Sequence, residues 1–186
     1  MGKTEAGLLW IGNNKGFFTL PLRTAINAIY KRITDDIIKV NIDDKVALLH
    51  GDTYSKYLEK IDSEDMEIDI EEYYNKTKQW SLPLTVCTLD QVFDFVFRYR
   101  GFEPKLATLS YSKVVIDEIQ MYSSDLLAYL ILGLSYISKV GGKFAILTAT
   151  LPNIVVDLLK AENIEFLEPK IFIKKLSSKV YKIEDD

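Results

Sequence analysis

The sequence predicts an α/β domain, a mainly parallel sheet flanked by helices. Short apolar runs of strand type alternate with segments of helical period, the pattern left by parallel strands joined through crossover helices. The length of 186 residues suits one such domain, large enough to bury a sizeable core without disulfide or metal support. We therefore expect a single domain over residues 1–186.

Taken in order, the first helix is expected to begin at about Lys3 and to fade near Asn13, and 16–20 reads as a strand closed by Pro21. Ile26, Ile29, Ile33 and Ile37 recur at spacings of three and four, which gives one apolar face to a helix from about 24 to 39. Residues 46–49 form the next strand, ending at His50-Gly51. From Glu59 to Glu72 there are eight acidic residues and one lysine, so 59–76 is expected to be an inserted surface segment, either a solvated connector or a partner-binding arm. Strand character returns at 84–87. Thr88-Leu89-Asp90-Gln91 then matches a capping box opening a helix that carries Val92, Phe93, Val96 and Phe97. Residues 114–116 are a short continuous apolar run of the buried-strand type. Leu127, Leu130, Ile131, Leu134 and Ile137 mark the following helix, stopped by Gly141-Gly142. The last clear strand is 144–147, with Pro152 well placed to start another helix. A further strand is expected at 171–173 in the Lys-rich tail, and 168–186 is read as a segment leading toward a second domain outside this sequence.

The composition, 48% hydrophobic and 27% charged, is that of an ordinary soluble globule. A net charge of −4 supplies no global attraction for nucleic acid, so any such contact must be local. Cys87 is the only cysteine and sits in an apolar run, which excludes an internal disulfide framework and predicts a buried thiol. No apolar run approaches the ~20 residues of a membrane span and no signal peptide opens the chain, so a cytoplasmic protein without membrane contact is expected. His50 is the only histidine, which leaves metal clusters and nucleophilic sites built on histidines without ligands. It is expected to be structural.

Three short motifs carry the chemistry. Gly2-Lys3-Thr4 opening a helix would set an ammonium and a hydroxyl beside a nucleotide's phosphates and their Mg²⁺, as the end of a P-loop does. The apolar strand at 114–116 runs into Asp117-Glu118, a metal carboxylate and a candidate base, and Leu147-Thr148-Ala149-Thr150 ends the next strand. The chain begins inside the first of these motifs, so we expect the first (P-loop) strand to be missing and nucleotide binding by these residues alone to be weak, because a P-loop works through several converging backbone amides.

With these motifs the chain resembles the first RecA-like domain of a superfamily-two helicase, and most closely the CRISPR-associated helicase of type I systems. Gly2-Lys3-Thr4-Glu5-Ala6 resembles the end of that family's Walker A motif, and Leu20 to Ala25 with Asn27 and Tyr30 resembles its motif Ia. Cys87 to Gln91 resembles motif Ib, Asp117-Glu118-Ile119-Gln120 occupies the DEAD/DEAH-box position, and Leu147 to Pro152 resembles motif III. The resemblance implies a RecA-like P-loop NTPase fold and an ATP- and Mg²⁺-dependent, single-stranded-DNA-stimulated 3′-to-5′ helicase in antiviral defence. It implies that Gly2, Lys3 and Thr4 bind nucleotide, that Thr4 and Asp117 ligate Mg²⁺, and that Glu118 orients or deprotonates the attacking water. Gln120 replaces the commoner Asp or His of the box, yet its amide can still bond a motif III threonine.

Arg23, Thr24, Thr88 and Gln91 would meet the DNA backbone, although a capping box accounts for Thr88 and Gln91 equally well. Thr148 and Thr150 would couple ATP to DNA, or be a strand-end hydroxyl and a helix cap. The implied partners are single-stranded DNA, an RNA-guided surveillance complex, a second RecA-like domain and a separate nuclease domain, the last two absent from this sequence. Another superfamily-two helicase and a non-catalytic nucleic-acid- or partner-binding remnant are the alternatives.

Overall fold

A computed structural model describes residues 2–38, 44–51 and 70–167. Five strands, β1 (Gly16–Leu20), β2 (Val46–Leu49), β3 (Leu84–Thr88), β4 (Lys113–Asp117) and β5 (Lys143–Leu147), form one sheet in the order β2-β3-β1-β4-β5. Every pairing is parallel, with Phe17 beside both Thr85 and Val114, and Val115 beside Ala145. Parallel neighbours need crossover connections, and these supply the helices of both faces.

Alternation along each strand divides the core in two. Phe17, Cys87, Val114 and Ile116 point to one face, where they meet α4 (Leu89–Phe93), α6 (Ser124–Lys139) and α7 (Asn153–Ala161), with α5 (Glu103–Leu109) beside them. Phe18, Val46, Val86 and Val115 point to the other and meet α1 (Lys3–Ile11), α2 (Arg23–Arg32) and α3 (Ile70–Lys78). The helices are held there by their own apolar stripes, Ile26, Tyr30 and Ile33 on and just after α2, and Leu130, Leu134 and Ile137 on α6. Gly141 takes φ +98° and ends α6 in the left-handed region, which costs glycine no steric penalty.

Several sequence expectations need correction. The second helix is α-helical only to Arg32; Ile33–Ile37 is a π turn, which rotates Ile37 off the buried stripe and leaves it exposed. Of the proposed acidic insertion, 59–69 lies outside the described residues. From Ile70 the chain is α3, whose Tyr73 and Thr77 are buried and whose Tyr73 hydroxyl donates to the Val46 carbonyl at 2.5 Å. This part belongs to the sheet's cover. The helix after β3 changes from α to 3₁₀ at Asp94–Phe97, which breaks the 3.6-residue period and leaves Phe97 49% exposed. The proposed strand at 171–173 and the whole segment 168–186 lie outside the described residues.

At the β5 edge the sheet is less covered than elsewhere. β5 is half-buried along most of its length while β1, β2 and β3 are buried throughout, and among the described residues only β4 pairs with it. Cys87 is fully buried as expected, and burial pushes its thiol pKa far up, so the group is an inert apolar filler. Among the described residues no helix is long and apolar enough to cross a membrane.

Candidate functional site

Because all five strands run the same way, their carboxyl ends share one edge, where ligands of open α/β sheets bind. Every residue singled out from the sequence stands at this edge or on the helix start that reaches it. Gly2 is the residue before α1, in extended conformation, and Lys3 and Thr4 form the helix's first turn. α1 lies close against the sheet because residue 7 is glycine: a Cβ there would stand 2.8 Å from the Phe18 ring and 3.0 Å from Leu147. That approach delivers Lys3 to the end of β4, where its ammonium donates to Glu118 and lies 3.5 Å from Asp117 Oδ1.

The turn after β4 aims these carboxylates. Asp117 is buried at the strand end, and Glu118 takes φ +53° and ψ +48°, a left-handed conformation that costs a non-glycine residue roughly 1–2 kcal/mol. It is held there from three sides. Its amide donates to the Leu147 carbonyl at 2.9 Å and to Asp117 Oδ1 at 3.0 Å, its carbonyl accepts from Met121 N–H at 2.9 Å, and fully buried Ile119 anchors the next residue.

A continuous line of hydrogen bonds leaves this turn. The Gln120 amide NH₂ donates to Glu118 Oε2 at 2.5 Å, and the Thr148 hydroxyl donates to the Gln120 amide oxygen. The same hydroxyl stands 2.7 Å from the Thr150 carbonyl, so one proton serves two acceptors, and it accepts the Thr150 N–H at 3.2 Å. Lys3, Glu118, Gln120 and Thr148 thus join α1, β4 and β5 in one polar chain. Thr150 enters it through its backbone.

Charge is distributed unequally within the cluster. The hydrogen bond from Lys3, then that from Gln120, holds Glu118 below the usual carboxylate range. Burial raises Asp117, against the opposing pull of Lys3. Burial would also lower Lys3, but the hydrogen bond to Glu118 and the charges of Asp117 and Glu118 outweigh it and raise the ammonium. A depressed acid stabilises the fold above its unfolded pKa and loses that contribution as pH falls through the lower folded value, so the Lys3–Glu118 pair is intact at neutral pH and lost on acidification below the ordinary carboxylate range. Lys3→Ala is expected to move the Glu118 carboxyl titration upward, followed by carbonyl-carbon NMR. An unchanged midpoint would contradict the pairing.

The residues expected to meet nucleic acid stand on the neighbouring strand ends. Arg23 and Thr24 open α2 after β1, both exposed. Thr88 ends β3 but forms no capping box: its hydroxyl makes no cap bond and is buried without a partner, and Gln91 donates instead to Asp90 Oδ2 at 2.9 Å. Thr88 closes a fully buried strand and is itself buried, and among the described residues its hydroxyl has no hydrogen-bond partner. His50, at the end of β2, is buried with Nε2 3.0 Å from Asn27 Oδ1, a structural tie between strand and helix. Sequence reasoning passed over Gly7, which has no signal beyond its small size, and the left-handed turn at Glu118.

No protein-family model matches the chain. A CRISPR-associated nuclease/helicase Cas3 from Methanothermobacter thermautotrophicus is 30% identical over 169 residues, which covers 90% of this chain and 20% of that protein. The crystal structure of T. fusca Cas3 matches with a TM-score of 0.70 at 21% identity, over 87% of this chain and 19% of that one. The structure of T. fusca Cas3-ATP matches with a TM-score of 0.61 at 20% identity, over 79% of this chain and 16% of that one. The chain therefore spans 19% to 25% of the length of the curated relatives it matches. Over the stretch that it shares with these proteins, the chain is similar in sequence to the CRISPR-associated nuclease/helicase Cas3 and has its fold there, a five-stranded parallel α/β domain of the RecA-like kind.

Proposed function

We propose that the carboxyl edge of this sheet is the ATP-hydrolysing and single-stranded-DNA-gripping half of a helicase acting in type I CRISPR interference. The observation that carries the proposal is the bonded line Lys3–Glu118–Gln120–Thr148, which links a phosphate-type lysine, a candidate base and the end of the next strand. The match to T. fusca Cas3-ATP supports nucleotide binding.

The donors present fit such a ligand. Thr4 and Asp117 are buried oxygen donors, and Lys3 above Asp117 ties their two elements together at one end of the sheet. Two protein oxygens suit Mg²⁺, which usually completes its shell with water and substrate phosphates. Bound Mg-ATP would supply the terminal phosphoryl group and its electrophilic phosphorus. Lys3 would exchange its carboxylate partners for phosphate oxygens, with Gly2 leaving room for the backbone approach. Glu118, released from Lys3, would regain basicity, orient the attacking water and accept its proton at a carboxylate oxygen, while Gln120 holds the other oxygen in place.

Arg23, Thr24 and Gln91 would hold the strand by its phosphates, which position nucleic acid without reading sequence, whereas the Thr88 hydroxyl is buried and out of a phosphate's reach. Thr148 and Thr150 would transmit the state of Glu118 to the β5 end. A second RecA-like domain would close the nucleotide and supply arginine, and an RNA-guided surveillance complex would deliver the DNA.

Thr148→Val tests the coupling. It keeps the shape of the side chain but removes the donor to Gln120, and one hydrogen bond is worth about tenfold at most. DNA-stimulated phosphate release by the complete protein is expected to fall by about that factor, with the DNA-independent rate kept. Full stimulation in the variant would refute the relay.

A further inference from the structure

Two consecutive residues at the end of β2 meet two residues one turn apart on α2. His50 bonds Asn27. Gly51, next in the chain, faces Arg23, which lies four residues before Asn27 and hence on the same side of the helix. A Cβ placed on Gly51 would stand 2.9 Å from Arg23 Nη2, 3.2 Å from Cζ and 3.5 Å from Nη1, so the guanidinium head lies against bare backbone. Gly51 is outside the left-handed region that favours glycine, unlike Gly12, Gly101 and Gly141. Its backbone conformation is open to any residue. What the position needs from glycine is room.

We propose that Gly51 is a positioning residue for nucleic-acid binding: its missing side chain seats the Arg23 guanidinium at the carboxyl edge, where a phosphate of a single strand would meet it. The inference rests on the reading of Arg23 as a phosphate contact. Seating matters for arginine because its planar fork loses little further freedom on binding once it is held in the right plane. A methyl group at residue 51 displaces the far end of a flexible side chain, which can swing away at little cost to the fold. The loss therefore falls on the ligand. The His50–Asn27 bond fixes the strand end against the helix and so sets the distance at which Gly51 meets Arg23.

The test is a double-mutant cycle in the complete protein, read by fluorescence anisotropy of a fluorescein-labelled oligothymidylate. Arg23→Ala is expected to weaken binding by roughly tenfold and to reduce the salt slope by about 0.7, the loss of one phosphate contact to a single strand. Gly51→Ala should weaken binding about three- to tenfold when Arg23 is present and less than about 1.5-fold when it is Ala, because contacting residues are not additive. Equal losses in both backgrounds, or none when Arg23 is present, would overturn the inference. If Gly51→Ala fails to fold, recovery of folding in the double variant supports the crowding of Arg23, and failure of both overturns it. An Arg23→Ala protein that binds as tightly as the parent, or a parent that does not bind the oligonucleotide, removes the phosphate reading itself and the inference with it.

Discussion

Asp117→Asn is expected to lower ATP hydrolysis by the complete protein by about 100-fold or more, the scale of losing a preorganised charge that acts in the transition state. The substitution is nearly isosteric. Asp117 is buried at the end of β4, and its Oδ1 accepts the Glu118 amide at 3.0 Å, a bond that an asparagine oxygen can keep. What disappears is the negative charge that Lys3 faces at 3.5 Å and that Mg²⁺ would require. Burial raises the Asp117 pKa against the pull of Lys3, so its charge carries a desolvation cost that the substitution removes. The variant should therefore melt at or above the parent temperature while losing turnover. Measuring both by calorimetry and phosphate release separates a chemical role from a structural one, and parent-like turnover in a folded variant would refute the metal role.

Phe17→Ala is expected to cost about 3–5 kcal/mol, a large part of the 5–15 kcal/mol that holds a domain of this kind together. Phe17 is fully buried on the central strand, between Thr85 of β3 and Val114 of β4. Its ring packs edge-on to Trp80 at 4.7 Å, and the Lys15 ammonium stands 5.2 Å from its centre. Strand β1 has neighbours on both sides and helices on both faces, so a void at Phe17 has little freedom to collapse. Urea unfolding should show a lowered midpoint at unchanged slope. A loss under about 1 kcal/mol would mean that the central strand carries less of the core than its burial indicates.

The strands were legible because buried parallel strands read as continuous apolar runs, and 46–49, 84–87, 114–116 and 144–147 all fall within observed strands. That the motif residues stand on one edge was legible for the same reason, since motifs that follow parallel strands must share the carboxyl end. Local hydrogen-bonding patterns were less so. The Thr88–Gln91 spacing fits a capping box, yet neither side chain makes the bond: the Thr88 hydroxyl caps no amide and Gln91 donates to Asp90. α3 was hidden because its acidic and lysine residues face outward and only Tyr73 and Thr77 disclose a buried side. The surroundings of Gly7 and Gly51 are displayed by no one-dimensional pattern: a partner distant in sequence, Phe18 and Leu147 for one and Arg23 for the other, occupies the space of a side chain. The left-handed turn at Glu118 is likewise imposed from outside, by the Leu147 carbonyl and the anchoring of Ile119.

The central claim is that one edge of one sheet couples nucleotide hydrolysis to a single strand. Phosphate release by the complete protein, titrated with oligothymidylate at fixed ATP with and without Mg²⁺, tests it most directly. The account predicts a rate that saturates with DNA, requires Mg²⁺ and disappears in Asp117→Asn, whereas a rate indifferent to DNA and Mg²⁺, or no hydrolysis by a folded protein that binds the DNA, would contradict it.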